Sequence, residues 1–281
     1  MTPSAHGGTL AASARQSRLV EASAGAARYV LKTLTIVSLE VRKLRHDSTE
    51  LVTRAVQPAL WLLIFGEVFT QVRAIPTGNL RYIDFMAPGI LAQSVLFIAI
   101  FYGIAIIWER DLGIIHKLLV SPTPRTALVL GKALSACVRG VTQAVIIYLL
   151  ALLLGVSVDW SPLSLLGVLA AVVLGSALFA SFSLIIACVV KTRERFMGVG
   201  QLLTMPLFFA SNAIYPIAIM PVWLQYIARV NPLTYEVDAL RALMLDAGTS
   251  IYGLGSDFAV VLAGTIILVV LGGRMYPNVV R

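Results

Sequence analysis

The sequence predicts an all-α polytopic membrane protein, and three observations carry that prediction. Of the 281 residues, 58% are hydrophobic and only 13% are charged, about half the charged share of a soluble domain. The mean hydropathy is +0.87. Apolar runs of roughly membrane-spanning length recur along the chain, and each can satisfy its own backbone as a helix in lipid. The short alternating segments of an outer-membrane barrel are not visible.

The elements follow in order. Residues 1–27 are rich in Ala, Gly and Ser and are expected to form a disordered tail. The first 54 residues are too long and too polar for a cleaved signal peptide, so the first span is expected to stay as an anchor. Over 28–45, Val30, Leu34, Val37, Val41 and Leu44 form one stripe at helical period, with Arg28, Lys32, Arg42 and Lys43 off it. This reads as an interfacial amphipathic helix on anionic lipid headgroups. A helix docking on a soluble domain is disfavoured, because the chain offers no such domain.

Six spans are predicted, over 56–72, 88–108, 133–155, 163–190, 197–215 and 252–273. The segment before the first span, and the connections after the second and fourth and following the sixth, together hold eighteen Lys or Arg. The opposite side holds four: Arg73, Arg81, Arg229 and Arg241. That asymmetry predicts both termini in the cytosol. The net charge of +8 therefore reports topology rather than nucleic-acid binding.

The connection between the fifth and sixth spans is too apolar for a solvated loop. Trp223, Ile227 and Val230 make one helical stripe. Asn231 as N-cap and Pro232 at the first helical position open a second helix, along which Leu233, Val237, Leu240 and Met244 recur. Two short amphipathic helices are expected, dipping into the outer leaflet or capping an exit. Glu236 and Asp238 fall near the start of the second, where the helix dipole favours acids, and Gly248 can end it.

Several chemistries are absent from the sequence. Gly131-Lys132 lacks the upstream glycine and following Ser or Thr of a phosphate-binding loop. Neither H-E-x-x-H nor G-x-S-x-G occurs. Cys137 and Cys188 fall within apolar spans, which reads as packing, and His6, His46 and His116 form no ligand cluster. Glu67, in the first span, lies toward its outer end, where it can snorkel or pair with Arg73. An interfacial role is favoured over a proton-coupled one. No internal repeat is evident. A transporter-like body with no energy source of its own implies a partner that supplies one.

The interfacial helix, "QPALWLLIFGEVF", "APGILAQSVLF", "ERDLGIIHKLLVSPTPRTALVLGKAL" and "NPLTYEVDALRALML", in that order, resemble the permease subunits of type-2 ATP-binding-cassette exporters. The likeness is closest to the drug-exporter branch and its nodulation-factor relatives, and spans roughly 28–274, within one transmembrane domain over 28–281. It implies a dimer of permeases, with an identical or paralogous partner, in the cell membrane. It also implies two copies of a separate ATPase subunit that carry the ATP and magnesium, with no cofactor, metal or catalytic residue in this chain.

By the same resemblance, Glu109, Arg110, Asp111, Gly113, Ile114 and Lys117 fall in the cytosolic element that couples to the ATPase. Asn231, Pro232, Tyr235 and Arg241 fall in the extracellular cap. The residues themselves agree with a coupling element. Glu109–Asp111 extend the second span as a stiff rod, Ile114, Ile115, Leu118 and Leu119 offer an apolar docking face, and Pro122 and Pro124 end it. Gln57, Gln93, Tyr102, Phe208 and Asn212 are candidate pathway residues, each of which can equally serve packing within one subunit. An apolar lining suits an amphiphilic drug or lipid. Lipid-linked glycan export, an ion-coupled carrier and a membrane enzyme are the rival readings.

Overall fold

The computed structural model describes residue 38 and residues 56–72, 75–78, 80–113, 125–190 and 192–276, with backbone alone at 125–128. The expected tail and interfacial helix (Ser38 apart), Arg73, and the stretch 114–124 with Ile114, Lys117, Pro122 and Pro124 lie outside the described residues.

Among the described residues, eight helices and one short 3-10 turn follow from residue 56. Helix α1, Val56–Val72, contains a π turn at Trp61–Gly66. Trp61, Phe65 and Phe69 follow one another on one side and stack, at 4.6 Å and 6.0 Å between ring centres. The Thr70 hydroxyl donates to the Gly66 carbonyl and accepts from the Ile83 N–H, which pins α1 to the next helix.

Helix α2, Tyr82–Asp111, runs 30 residues, about 45 Å. It starts six residues before the expected span. Arg81 caps it in extended conformation and donates to Asp84 in the first turn at 2.9 Å. Asp84 also accepts from the Ser157 N–H at 3.2 Å, and Arg81 donates to the Gly155 carbonyl, tying this end to the connection ahead of α4. Pro88 therefore sits inside the helix rather than at its start, where it forfeits one backbone bond. Gly89 has a steric purpose, since a Cβ there would overlap the Ala213 carbonyl.

Helix α3, Arg125–Leu153, starts eight residues before its predicted span, and α4, Pro162–Val189, follows its own closely. Ser161 accepts from the Ser164 N–H and Pro162 takes the first helical position, so α4 has a well-defined start. Helix α5, Arg193–Phe209, has 17 residues and ends six before the expected boundary. Its exposed carbonyls explain the stop. The Asn231 amide donates to the Leu207 and Ala210 carbonyls, and the Tyr215 hydroxyl donates to that of Phe209. The 3-10 turn Ile217–Ile219, α6, Val222–Val230, α7, Pro232–Met244, and α8, Leu254–Met275, complete the chain.

Among the described residues, four helices are long and apolar enough to cross a membrane: α2, α3 from Val129, α4 and α8. Helix α1 is apolar but shorter, and α5, of 17 residues, opens on the charged Arg193, Glu194 and Arg195. Helices α2 and α4 form the centre, and α4 packs on α2, α3, α7 and α8. Small residues let the backbones approach. The Gly103 N–H donates to Ser183 at 3.0 Å, and a Cβ on Gly140 would strike Ser176. Leu153, Leu163, Leu166 and Ile266 point outward, as lipid-facing side chains do.

Helix α7 is inserted between its neighbours. Its apolar stripe is buried as predicted, but so are Thr234, Glu236, Asp238 and Arg241 on its other faces. It lies antiparallel to α4: Leu243 meets Gly167, and Glu236 meets Gly175. Gly175 is about 20 Å along α4 from Pro162, at 1.5 Å per residue. Helix α7 therefore begins near the middle of the bundle and climbs to the bridge between Leu245 and Val158. Helix α6 stays on the surface, with Trp223, Tyr226 and Val230 largely exposed.

Candidate functional site

Two polar regions break the apolar bundle, one at each end. The first is the end of α2. Leu112 donates back to the Trp108 carbonyl and Gly113 to that of Arg110, with Gly113 at φ +71°. This left-handed closure is the conformation glycine favours. The stiff rod thus stops at Asp111 and the chain turns, rather than continuing as helix into the apolar run.

The three charged residues there face different ways. Glu109 turns inward and pairs with Lys132 of α3 at 2.6 Å, both side chains buried. Asp111 accepts from Arg110 at 2.9 Å and from Arg193, at the start of α5, at 3.1 Å. The Arg193 guanidinium lies 3.7 Å over the Trp108 ring. The base of the expected coupling element is thereby fastened to α3 through Glu109 and to α5 through Asp111. Beneath it, Ile106, Ile107, Val129, Phe196 and Tyr276 form an apolar plug.

The second region surrounds α7. Asn231 accepts from the Leu233 N–H as N-cap while its amide closes α5, so one side chain joins two helices. Arg241 is buried. It donates to the Asn212 carbonyl at 2.7 Å and the Phe85 carbonyl at 3.4 Å, and lies 3.9 Å over the Phe85 ring. Asp238 accepts from the Ile251 and Tyr252 N–H groups at 2.7 Å and 3.1 Å. Nearer the surface, Asp84 holds the Arg81 guanidinium above its ordinary range, and hydrogen bonds from Ser164 and Ser161 hold the exposed Asp159 carboxyl below its own.

The candidate pathway residues are placed mostly inside the protomer. Gln93, Tyr102, Phe208 and Asn212 are buried, and Gln57 is exposed. Arg139 of α3 lies 4.9 Å over the Tyr102 ring. Phe208 meets Trp61 edge-on at 6.2 Å, and Asn212 reaches Asp238 at 3.5 Å. In the expected cap, Tyr235 donates to the Arg229 carbonyl and stacks on Tyr252. Glu67 accepts from Gln71 on the next turn of α1.

Sequence reasoning passed over Lys132, Arg193 and Asp257. Lys132 borders an apolar run on a helix whose other basic residues read as loop charge. Asp257 is an acid in the first turn of a span, a position that the helix dipole alone would explain. Their signal is the isolated charge beside a long apolar run.

Comparison with known proteins gives a consistent picture. Residues 32–245 match the family model described as ABC-2 type transporter. The ycf38 transport permease of Cyanophora paradoxa is 29% identical over 222 residues, covering 76% of this chain and 74% of that protein. The daunorubicin resistance ABC transporter permease of Streptomyces coeruleorubidus is 27% identical over 216 residues, 76% of this chain and 75% of that protein. Nodulation protein J of Rhizobium leguminosarum bv. trifolii is 28% identical over 170 residues, 60% and 64% of the two chains.

Proposed function

The chain belongs to the ABC-2 type transporter family, and from that premise we propose that it is the membrane-spanning permease subunit of an ATP-driven exporter of amphiphilic, drug-like or lipid-like molecules. The family match over 32–245 carries this reading. A relative named for daunorubicin resistance supports the substrate class. A separate ATPase subunit, in two copies against a permease dimer, binds ATP and magnesium. Both termini face the cytosol, on the side that holds eighteen of the 22 basic residues.

The end of α2 supplies the mechanism. Arg110, Asp111 and Gly113, with Ile114 and Lys117 beyond them, receive the ATPase. Glu109 acts one step behind as a positioning residue, passing displacement to α3 through Lys132. Asp111 and Trp108 pass it to α5 through Arg193. Helix α5 ends on Asn231, which opens α7, so displacement at one end reaches the helix that fills the other. Asn231, Pro232, Tyr235 and Arg241 close the exit.

The test is reconstitution. The permease purified with its ATPase should move an amphiphilic fluorescent cation in inside-out vesicles only when ATP is hydrolysed. Transport that persists without ATP, or a permease that binds no ATPase, overturns the reading.

A further inference from the structure

Glu236 has no account in this mechanism. Its side chain is 1% exposed, and neither carboxyl oxygen has a hydrogen-bond partner. It presses on Gly175 at mid-bundle and lines a small cavity between α4, α7 and α8 with Ala171, Leu174, Phe258 and Asp257. An ionised carboxylate in such surroundings, with no donor, would pay a large desolvation penalty. Glu236 is therefore held as a neutral acid.

Asp257 shares the cavity and is also fully buried, with Oδ1 unpartnered. Its Oδ2 lies 2.7 Å from the Ser250 hydroxyl, which lies 2.9 Å from Asp238 Oδ2. Ser250 has one hydrogen for these two carboxyls, and it also accepts from the Gly253 N–H at 2.6 Å. Asp238 already accepts two backbone N–H groups, so it is the ionised member and takes the serine proton. Asp257 must then carry a proton of its own and donate it to Ser250. The hydrogen-bond count closes only this way.

The other charges around the pair are engaged elsewhere. Helix α4 presents no titratable group at the contact. On α7, Arg241 serves the Asn212 and Phe85 carbonyls and also faces Asp238, whose ionised form it favours. On α2, Asp84 is paired with Arg81, and on α6 Arg229 lies over Tyr226. Tyr235 and Tyr252 stack on each other.

We propose that Glu236, Asp257, Ser250 and Asp238 form a proton-binding relay between the middle of the bundle and the outer loop at 250–253, loaded in this conformation and discharged when α7 moves. Only the last clause rests on the exporter reading. Discharge transfers the Asp257 proton to Ser250 as the serine proton passes to Asp238 and then to water. Glu236 then passes its proton to Asp257 across the cavity and is itself reprotonated from water admitted when α7 moves, so that each cycle takes one proton from water and returns one to water.

Infrared spectroscopy of the full-length protein in lipid nanodiscs tests the site directly. At neutral pH the wild type should show carbonyl absorption of protonated carboxyl groups, reduced in Glu236→Gln and in Asp257→Asn. Ser250→Ala should keep that absorption but slow its shift on transfer to heavy water. In the complex with its ATPase, trapping with nucleotide and vanadate should abolish part of the band. Transport by the wild type should change several-fold with external pH between about 6 and 9, and Glu236→Gln should flatten that profile. A wild type without the band, or variants that leave both band and pH profile unchanged, overturns the relay. A band that responds to the variants in a wild-type complex that neither hydrolyses ATP nor transports upholds the proton site and overturns the exporter reading.

Discussion

Replacing Lys132 with methionine tests what fixes the end of α2. Its Nζ lies 2.6 Å from Glu109 Oε1, and the two side chains are 7% and 8% exposed. Methionine keeps most of the stem and deletes the cation that pairs with Glu109 inside the bundle. Two unit charges about 4 Å apart at an effective dielectric near 20 interact by ~4 kcal/mol. Breaking a buried pair from one side costs about 3–5 kcal/mol, because the remaining charge stays desolvated. Removing both charges recovers much of that loss, since neither needs hydration any longer. A cycle of Lys132→Met, Glu109→Gln and the double variant should therefore show a coupling of roughly 3 kcal/mol. In nanodiscs the single lysine variant should melt about 10 °C below the wild type, at 2–4 °C per kcal/mol for a chain of this size. A single variant that melts with the wild type refutes the reasoning. So does a double variant no more stable than the single one.

Other expectations follow from the same geometry. Gly113→Pro cannot reach φ +71°; it should insert normally into membranes yet lose stimulation of ATP hydrolysis, and unaltered hydrolysis would remove Gly113 from the coupling element. Asp111→Ala breaks two partly exposed ion pairs and should cost under about 1 kcal/mol of stability while lowering stimulated hydrolysis, which separates a coupling role from a structural one. Asn231→Ala deletes a cap and the donor to two carbonyls; a loss of roughly 3 kcal/mol should appear as faster hydrogen exchange at residues 233–236. Gly175→Ala forces a methyl into Glu236 and should cost about 1–3 kcal/mol, with much of the loss recovered by adding Glu236→Ala; no recovery would show that the two do not compete for space.

The helices were legible in the sequence because spans of this length exclude charge, and a charge-free run is a one-dimensional signal. Their ends were less so. Helix α2 gains two turns through Arg81 and Asp84, and Asp84 also holds Ser157 from far along the chain. Helix α5 stops early because Asn231, 21 residues beyond Ala210, caps it. The charged residues at the end of α2 were visible as a group, but not that Glu109 turns in toward Lys132 while Asp111 turns out toward Arg193. Helix α7 was read correctly as a helix with one apolar face. Its insertion was hidden because period identifies an apolar stripe and says nothing of what covers the opposite face. Two polar side chains away from that stripe, Asp238 and Arg241, find backbone partners that lie far away in sequence.

The descent of α7 to mid-bundle constrains how the protein is assembled. A segment carrying Glu236, Asp238 and Arg241 is a poor candidate for entering lipid by itself, since each such residue at membrane depth costs ~2.5–3.5 kcal/mol on insertion scales. Its walls are α4, already synthesised, and α8, which follows it in the chain. The carbonyls and N–H groups that satisfy its polar face belong to residues 85, 212, 251 and 252. Helix α7 can therefore complete its contacts only once α8 has been made. A ribosome stalled before α8 would leave a nascent protein in which α7 lacks one of its walls.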